Sequence, residues 1–320
     1  MELKGLHHVS AITAVAKDNV RFYTEILGMR LVKKTVNQDD TSMYHLFYAD
    51  EAGNPGTDLT FFEIKQAARF YQGNNSISFS GLRVKNDKAL NYWLDRFKEY
   101  GVAHEPIKDL MGRKVIFFKD DEGQRLMLIS DEFNNGVESG TPWEHSPVPA
   151  DVGITGLGPV RLTVPNPGPT SEILTEVLGF RFAGTYPAYE DGQPDIQVYE
   201  TGEGGTGAEV HVEHRTDLEK ERPGRGSVHH VAFRVKDEAE LEAWRDKVRK
   251  RRLPNSGLVD RYYFKSLYFR EPNGILFELA TDGPGFATDE NLDQLGESLA
   301  LPPFLEENRE EIEANLTPIK

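Results

Sequence analysis

A chain that repeats one structural unit four times has few ways to fold, and this chain does so. Each unit reads as a strand, an amphipathic helix and three further short strands. The segment Ile26-Leu27-Gly28-Met29-Arg30-Leu31 recurs as Val177-Leu178-Gly179-Phe180-Arg181-Phe182. In both copies the helical spacing of apolar residues stops at a glycine suited to a helix C-terminus. A second type of unit carries Gly81-Leu82-Arg83-Val84-Lys85-Asn86, which recurs as Ala232-Phe233-Arg234-Val235-Lys236-Asp237. Its closing strands, from Phe117 and from Tyr268, repeat as well. Internal repetition sets architecture ahead of local propensity. A βαβββ unit leaves a curved sheet with one open apolar face, and two units close it around a cavity. The expected class is therefore α+β, four βαβββ modules in two cupped, barrel-like sheets. The expected modules span residues 1–70, 71–133, 153–220 and 221–282. A Gly-, Pro-, Asn- and Ser-rich linker at 134–152 reads as exposed, and an acidic tail at 283–320 reads as helical.

The dipeptide His-His precedes an apolar strand twice, at His7-His8 and His229-His230, and accounts for four of the nine histidines. A third apolar strand, Gly274 to Leu279, contains Glu278. Two imidazoles and one carboxylate on strands form the ligand set of a facial triad with open positions. Iron(II) suits that set, and manganese(II) is accepted by it too. The repeats supply a control. Aligning the modules puts Phe79 at His230, Met127 at Glu278 and Pro159 at His8. Modules one and four should thus form a metal barrel, with modules two and three a filled one. A lone buried histidine is usually a core residue. Joint retention at matching positions outweighs that reading. Strand alternation sends one histidine of each pair, His8 and His230, into the cavity. His7 and His229 then point away, unless a bulge intervenes, as structural residues or as partners of the ligands.

The chain has no cysteine, which excludes thiolate metal sites and disulfides. A formal net charge of −15 argues against nucleic acid or an anionic membrane as partner. No apolar run suffices to span a membrane. The first residues lack a signal-like apolar stretch, so cytoplasm is the expected compartment by elimination. A homo-oligomer is the default expectation.

Taken together, these motifs resemble the vicinal-oxygen-chelate superfamily and, within it, the hydroquinone-type ring-cleaving dioxygenases. The resemblance runs from Gly5 to the tail. It is most specific in Gly5 to Ser10, Tyr44 to Glu51, Pro55-Gly56-Thr57 and Arg261 to Glu278. It implies metal ligation by His8, His230 and Glu278. It also implies a substrate site in which Tyr268 acts as acid or donor and Arg261 holds anionic charge. His7, His229 and Ser10 are implied as surrounding donors, and Ser10 stands where relatives carry threonine. The implied reaction opens an aromatic diol with O2, places both oxygen atoms in the product and needs no external reductant. The resemblance favours a hydroquinone, whereas the residues themselves leave a catechol open. Aromatic catabolism or detoxification is the implied role. Two alternatives compete. A glyoxalase-like isomerase or lyase would need a fourth ligand, a second carboxylate ending module one, and Glu63 lies near that place. A non-catalytic protein sequestering aromatics or antibiotics would be a short chain without a complete triad. His45, on a module-one strand, suggests no role beyond touching the cavity.

Overall fold

A computed structural model describes residues 1–319. Its strands form two eight-stranded sheets. Module one contributes β1 (Leu6–Thr13), β2 (Arg30–Val36), β3 (Tyr44–Ala49) and β4 (Asp58–Glu63). Module two contributes β5 (Ser76–Val84), β6 (Lys108–Leu110), β7 (Arg113–Lys119) and β8 (Arg125–Ser130). Modules three and four follow with β9 (Ile154–Val164), β10 (Arg181–Tyr186), β11 (Ile196–Glu200), β12 (Glu209–His214), β13 (Val228–Val235), β14 (Asn255–Asp260), β15 (Phe264–Arg270) and β16 (Leu276–Pro284). One sheet runs β14-β15-β16-β13-β1-β4-β3-β2 and the other β10-β11-β12-β9-β5-β8-β7-β6. Modules one and four therefore share a sheet, as do two and three. Each shared sheet is joined through antiparallel first strands, β1 with β13 and β5 with β9.

The duplication is exact in register. Tyr268 opposite Glu278 repeats Phe117 opposite Met127, and Phe47 opposite Thr60 repeats Val198 opposite His211. Ser10 opposite His230 repeats Arg161 opposite Phe79. The same interval separates each matched pair, for example Phe117 from Tyr268. The chain is thus a two-module half in tandem, and each sheet takes one module from each half.

Helices α2 (Asp87–Tyr100) and α4 (Glu238–Lys250) start at Asn86 and Asp237, whose side chains accept the Ala89 and Glu240 amides. Each buries one tryptophan completely, Trp93 and Trp244. The helices of modules one and three differ from the regular helix expected. α1 (Ala16–Val20) and α3 (Pro167–Glu172) pass into π-wound turns at Arg21–Ile26 and Ile173–Val177. There Leu27 N–H donates to Phe22 O and Leu178 N–H to Ile173 O, five residues back.

The linker is held down along much of its length. Asp50 Oδ2 accepts Thr141 N–H, Ser146 Oγ donates to Gly28 O, and Val148 is buried. The tail is helical only in short pieces: 3-10 turns at Phe286–Thr288, Leu292–Gln294 and Pro303–Asn308, the last running into the short α-helix α5 (Arg309–Asn315). Its acidic residues are partly used internally. Lys33, on β2 and fully buried, meets Asp289 at 2.7 Å, Glu290, and the face of Tyr263. Phe286 packs on Phe47 and Tyr263, and Leu299 bridges Lys34 on the outer strand β2. The tail therefore covers a sheet edge that would otherwise offer unpaired amides. Among the described residues, no helix is long and apolar enough to cross a membrane.

Candidate metal centre

Three neighbouring strands bring the triad together. Ser10 lies opposite His230 across β1 and β13, and Ala232 lies beside Glu278 across β13 and β16. Alternation then points His8, His230 and Glu278 toward one place. His8 Nε2 is 3.0 Å and His230 Nε2 2.8 Å from Glu278 Oε2, and the two nitrogens are 3.1 Å apart. All three side chains are buried.

This triangle fits a cation. Mutually cis ligands about 2.1 Å from an octahedral ion lie about 3.0 Å apart, against about 3.4 Å for a tetrahedral ion. Glu278 Oε2 has no hydrogen-bond partner, although both imidazoles approach it. Burial lowers the His230 pKa against the opposing pull of Glu278. Burial alone would also raise the Glu278 pKa, but His8 and His230 hold it well below the usual carboxylate range. An ionised carboxylate beside a neutral imidazole, out of water, calls for a positive charge at their focus.

Strict alternation fails at the first histidine of each pair. The β1–β13 register slips between Leu6 and His8 and again between Ser10 and Ala11, where the partner moves from His230 to Val228. His7 and His229 are the extra residues of two bulges, which re-aim side chains. His7 Nδ1 lies 2.9 Å from His8 Nδ1, and His229 Nδ1 lies 2.8 Å from His230 Nδ1. The second histidine must keep its Nε2 lone pair for a metal. Its Nδ1–H then donates to the first histidine. His7 completes the chain by donating Nε2–H to Thr281 O at 3.0 Å. Burial and neighbouring His8 push the His7 pKa down to about 3, so it is neutral as this chain requires. His229 also lines the cavity, contrary to the outward direction expected from alternation.

The cavity has a volume of about 330 Å³. Phe47, Phe62, Phe264 and Met43 give it apolar walls, and Ser10, His45, Arg261 and Tyr268 also line it. Tyr268 packs edge-on to His230 with centroids 5.8 Å apart. Burial and nearby Glu278 push its phenol pKa up, so it stays protonated. Arg261 Nε donates to Tyr268 Oη at 3.4 Å, and its Nη1 meets Asp39 at 3.1 Å. Gln38 Nε2 donates to Arg261 O at 2.8 Å, which ties the β2–β3 loop across the mouth. Ser10 Oγ does not face the triad alone but bonds Thr60 Oγ1 at 2.7 Å.

Glu63 is not brought to the site. Its Oε1 accepts the Ala16 amide at 3.0 Å, and among the described residues only His8, His230 and Glu278 converge in metal-binding geometry. Ser10 pairs with Thr60 as Ala232 pairs with Glu278. Thr60 therefore occupies the place of a second carboxylate, and Glu63 lies three residues further along β4. One buried residue went unnoticed in the sequence. Ser266 donates its Oγ–H to Glu278 Oε1 at 2.5 Å. It precedes Tyr268 by two and so shares its face, but its partnership with Glu278 emerges only from the pairing of β15 with β16. The other sheet is packed at the matching positions. Phe79, Phe117 and Met127 join one apolar cluster, and the Arg161 guanidinium lies 4.2 Å over Phe79. His211 is buried there, bonding Tyr186 and Glu209.

The "Glyoxalase/Bleomycin resistance protein/Dioxygenase superfamily" matches residues 5–128 and 156–279, one match per half. "Putative ring-cleaving dioxygenase MhqA" of Bacillus subtilis (strain 168) is 55% identical over 320 residues, covering 100% of each chain. "Chlorohydroquinone/hydroquinone 1,2-dioxygenase" of Sphingobium indicum is 30% identical over 327 residues, covering 97% of this chain and 95% of that one. A crystal structure described as a "putative dioxygenase" from Bacillus subtilis superposes with TM-score 0.89 at 32% identity, covering 100% of this chain and 98% of the other.

Proposed function

From the premise that the chain belongs to the Glyoxalase/Bleomycin resistance protein/Dioxygenase superfamily, we propose that it is an iron(II)-dependent dioxygenase that opens a hydroquinone-type ring. The observation that carries this reading is the triangle of His8, His230 and Glu278 ligand atoms beside a small aromatic-walled cavity. His8, His230 and Glu278 would hold the ion with three protein ligands, a set that leaves it open for chemistry. Similarity to proteins named ring-cleaving and hydroquinone dioxygenases supports the same choice. Manganese(II) fits the same triangle.

When bound, the ion supplies Lewis acidity that lowers a phenol's pKa and a redox centre between an electron-rich ring and dioxygen. The chain's own residues do the rest. Ser266 fixes Glu278 through Oε1, which leaves Oε2 as the single inward oxygen. His7 and His229 orient the two imidazoles through Nδ1. Phe47, Phe62 and Phe264 exclude water and offer faces to a flat ring. Tyr268, protonated, donates to a substrate oxygen, and Arg261 holds the negative charge that develops there. The overall reaction inserts both atoms of one dioxygen molecule into the ring bond beside a hydroxylated carbon, giving an acyclic acid-aldehyde.

An isomerase or lyase reading is disfavoured because Thr60, not a carboxylate, stands at the fourth-ligand position. Turnover under isotope-labelled dioxygen with mass spectrometry of the product tests the proposal. Two labelled atoms per product are expected, and label arriving only from water would overturn it.

A further inference from the structure

The cavity wall formed by β3 carries one polar ring, His45. It sits on β3, two strands from β1, which is about 10 Å of sheet. Its ring lies between Phe47 and Phe62, with centroids 4.0 and 4.2 Å away. Its Nε2 bonds Thr60 Oγ1 at 3.1 Å, and Thr60 bonds Ser10. Its Nδ1 has no hydrogen-bond partner among the described residues. Burial, with His8, His230 and Arg261 nearby, keeps the ring neutral.

Packing does not require an imidazole here. The matching residue of the other half is Ile196, fully buried in the sheet that lacks the triad. The polar ring thus accompanies the metal ligands. A neutral imidazole with Nε2 engaged has one polar atom left, a donor or an acceptor according to tautomer. The hydroxyl chain permits either state. If Ser10 donates to Thr60 and Thr60 to Nε2, then Nδ1 bears hydrogen. If the chain runs the other way, Nδ1 offers a lone pair. A phenolic hydroxyl can answer both.

We propose that His45 is a specificity-determining residue that hydrogen-bonds the second hydroxyl of a para-dihydroxy ring whose first hydroxyl lies at the triad. This rests on the ring-cleavage reading above. It makes the β3 wall, rather than the metal, the discriminator between a hydroquinone and a simple phenol or catechol. Ser10 and Thr60 act as positioning residues that hold the His45 ring in place through its Nε2.

Calorimetric titration of zinc(II)-loaded protein tests this without turnover, using hydroquinone and phenol as probes. The unmodified protein should bind hydroquinone about three- to tenfold more tightly than phenol, the worth of one neutral hydrogen bond. His45→Phe should bring the two within twofold at unchanged zinc content, and Thr60→Val should reduce the ratio in part. A ratio unchanged in both variants overturns the role of His45. If His45→Phe does not fold, Thr60→Val decides, because it leaves the aromatic stack intact. Equal binding of both probes by the unmodified protein refutes the inference, while iron-dependent ring opening measured separately would still stand.

Discussion

Replacing Ser266 with alanine removes one hydroxyl and nothing else from the metal centre, so its consequence can be worked out closely. Ser266 and Glu278 are both fully buried, and their 2.5 Å bond joins a hydroxyl to a carboxylate. Hydrogen bonds to charged groups contribute about 1.5–3 kcal/mol. No water replaces the lost donor at a buried site of this size, so the full contribution falls on Glu278. Its Oε1 is then free to rotate inward beside Oε2. Both effects act against the three-point geometry. Converted to binding, the loss corresponds to about 10- to 100-fold weaker metal affinity. Competition against a chelator of known affinity, with iron(II) under anaerobic conditions, reads this directly. Ser266→Thr, which keeps the hydroxyl, should recover most of the affinity. An alanine variant that is folded and binds metal within twofold of the unmodified protein would refute the reasoning.

Other residues make independent predictions. Trp93 Nε1 donates to Val152 O at 2.8 Å, whereas its repeat partner Trp244 has a buried Nε1 with no acceptor. Denaturant unfolding should therefore find Trp93→Phe about 1–3 kcal/mol more destabilising than Trp244→Phe, because only the former orphans a carbonyl. Burial raises the Asp120 pKa to about 6 despite amide and Tyr23 hydrogen bonds. Between pH 3.8 and about 6 the folded chain keeps a proton that the unfolded chain releases, so this residue's contribution to stability falls as pH rises. The Tm of Asp120→Asn should gain on that of the unmodified protein across this window, and a constant difference would contradict the sign. Asp39→Asn should lower kcat/KM severalfold with metal content unchanged, since the half-exposed Arg261 pair that steadies the mouth is weakened rather than the metal site.

The parts of this protein that repeat were the legible parts. Loss of His8, His230 and Glu278 at Pro159, Phe79 and Met127 pointed to the module pairing, and the two sheets carry that pairing. Alternation was sufficient for His8 and Glu278, but not for His7 and His229. A bulge is an irregularity of pairing between two strands, and neither strand's sequence announces it. Ser266, Thr60 and His45 were obscure for a related reason. Each is an ordinary strand residue until the register across β15–β16 or β3–β4–β1 is known. Glu63 belonged only to the competing reading: it is near the expected position in sequence, while strand register puts Thr60 there and Glu63 three residues further along. The tail's helical character was legible only in part, at Pro303–Asn308 and Arg309–Asn315, and its course over the sheet was not. Its place depends on single contacts, such as Lys33 with Asp289 and Phe286 with Tyr263, rather than on an amphipathic stripe.

The central claim joins one metal site to one reaction, and oxygen consumption examines both together. Protein reconstituted anaerobically with iron(II) is mixed with 2-methylhydroquinone or catechol in an oxygen electrode, beside Glu278→Ala. The account predicts one dioxygen consumed per hydroquinone, slower uptake with catechol, and none in the variant. No uptake with either substrate, while iron is bound stoichiometrically, would contradict it.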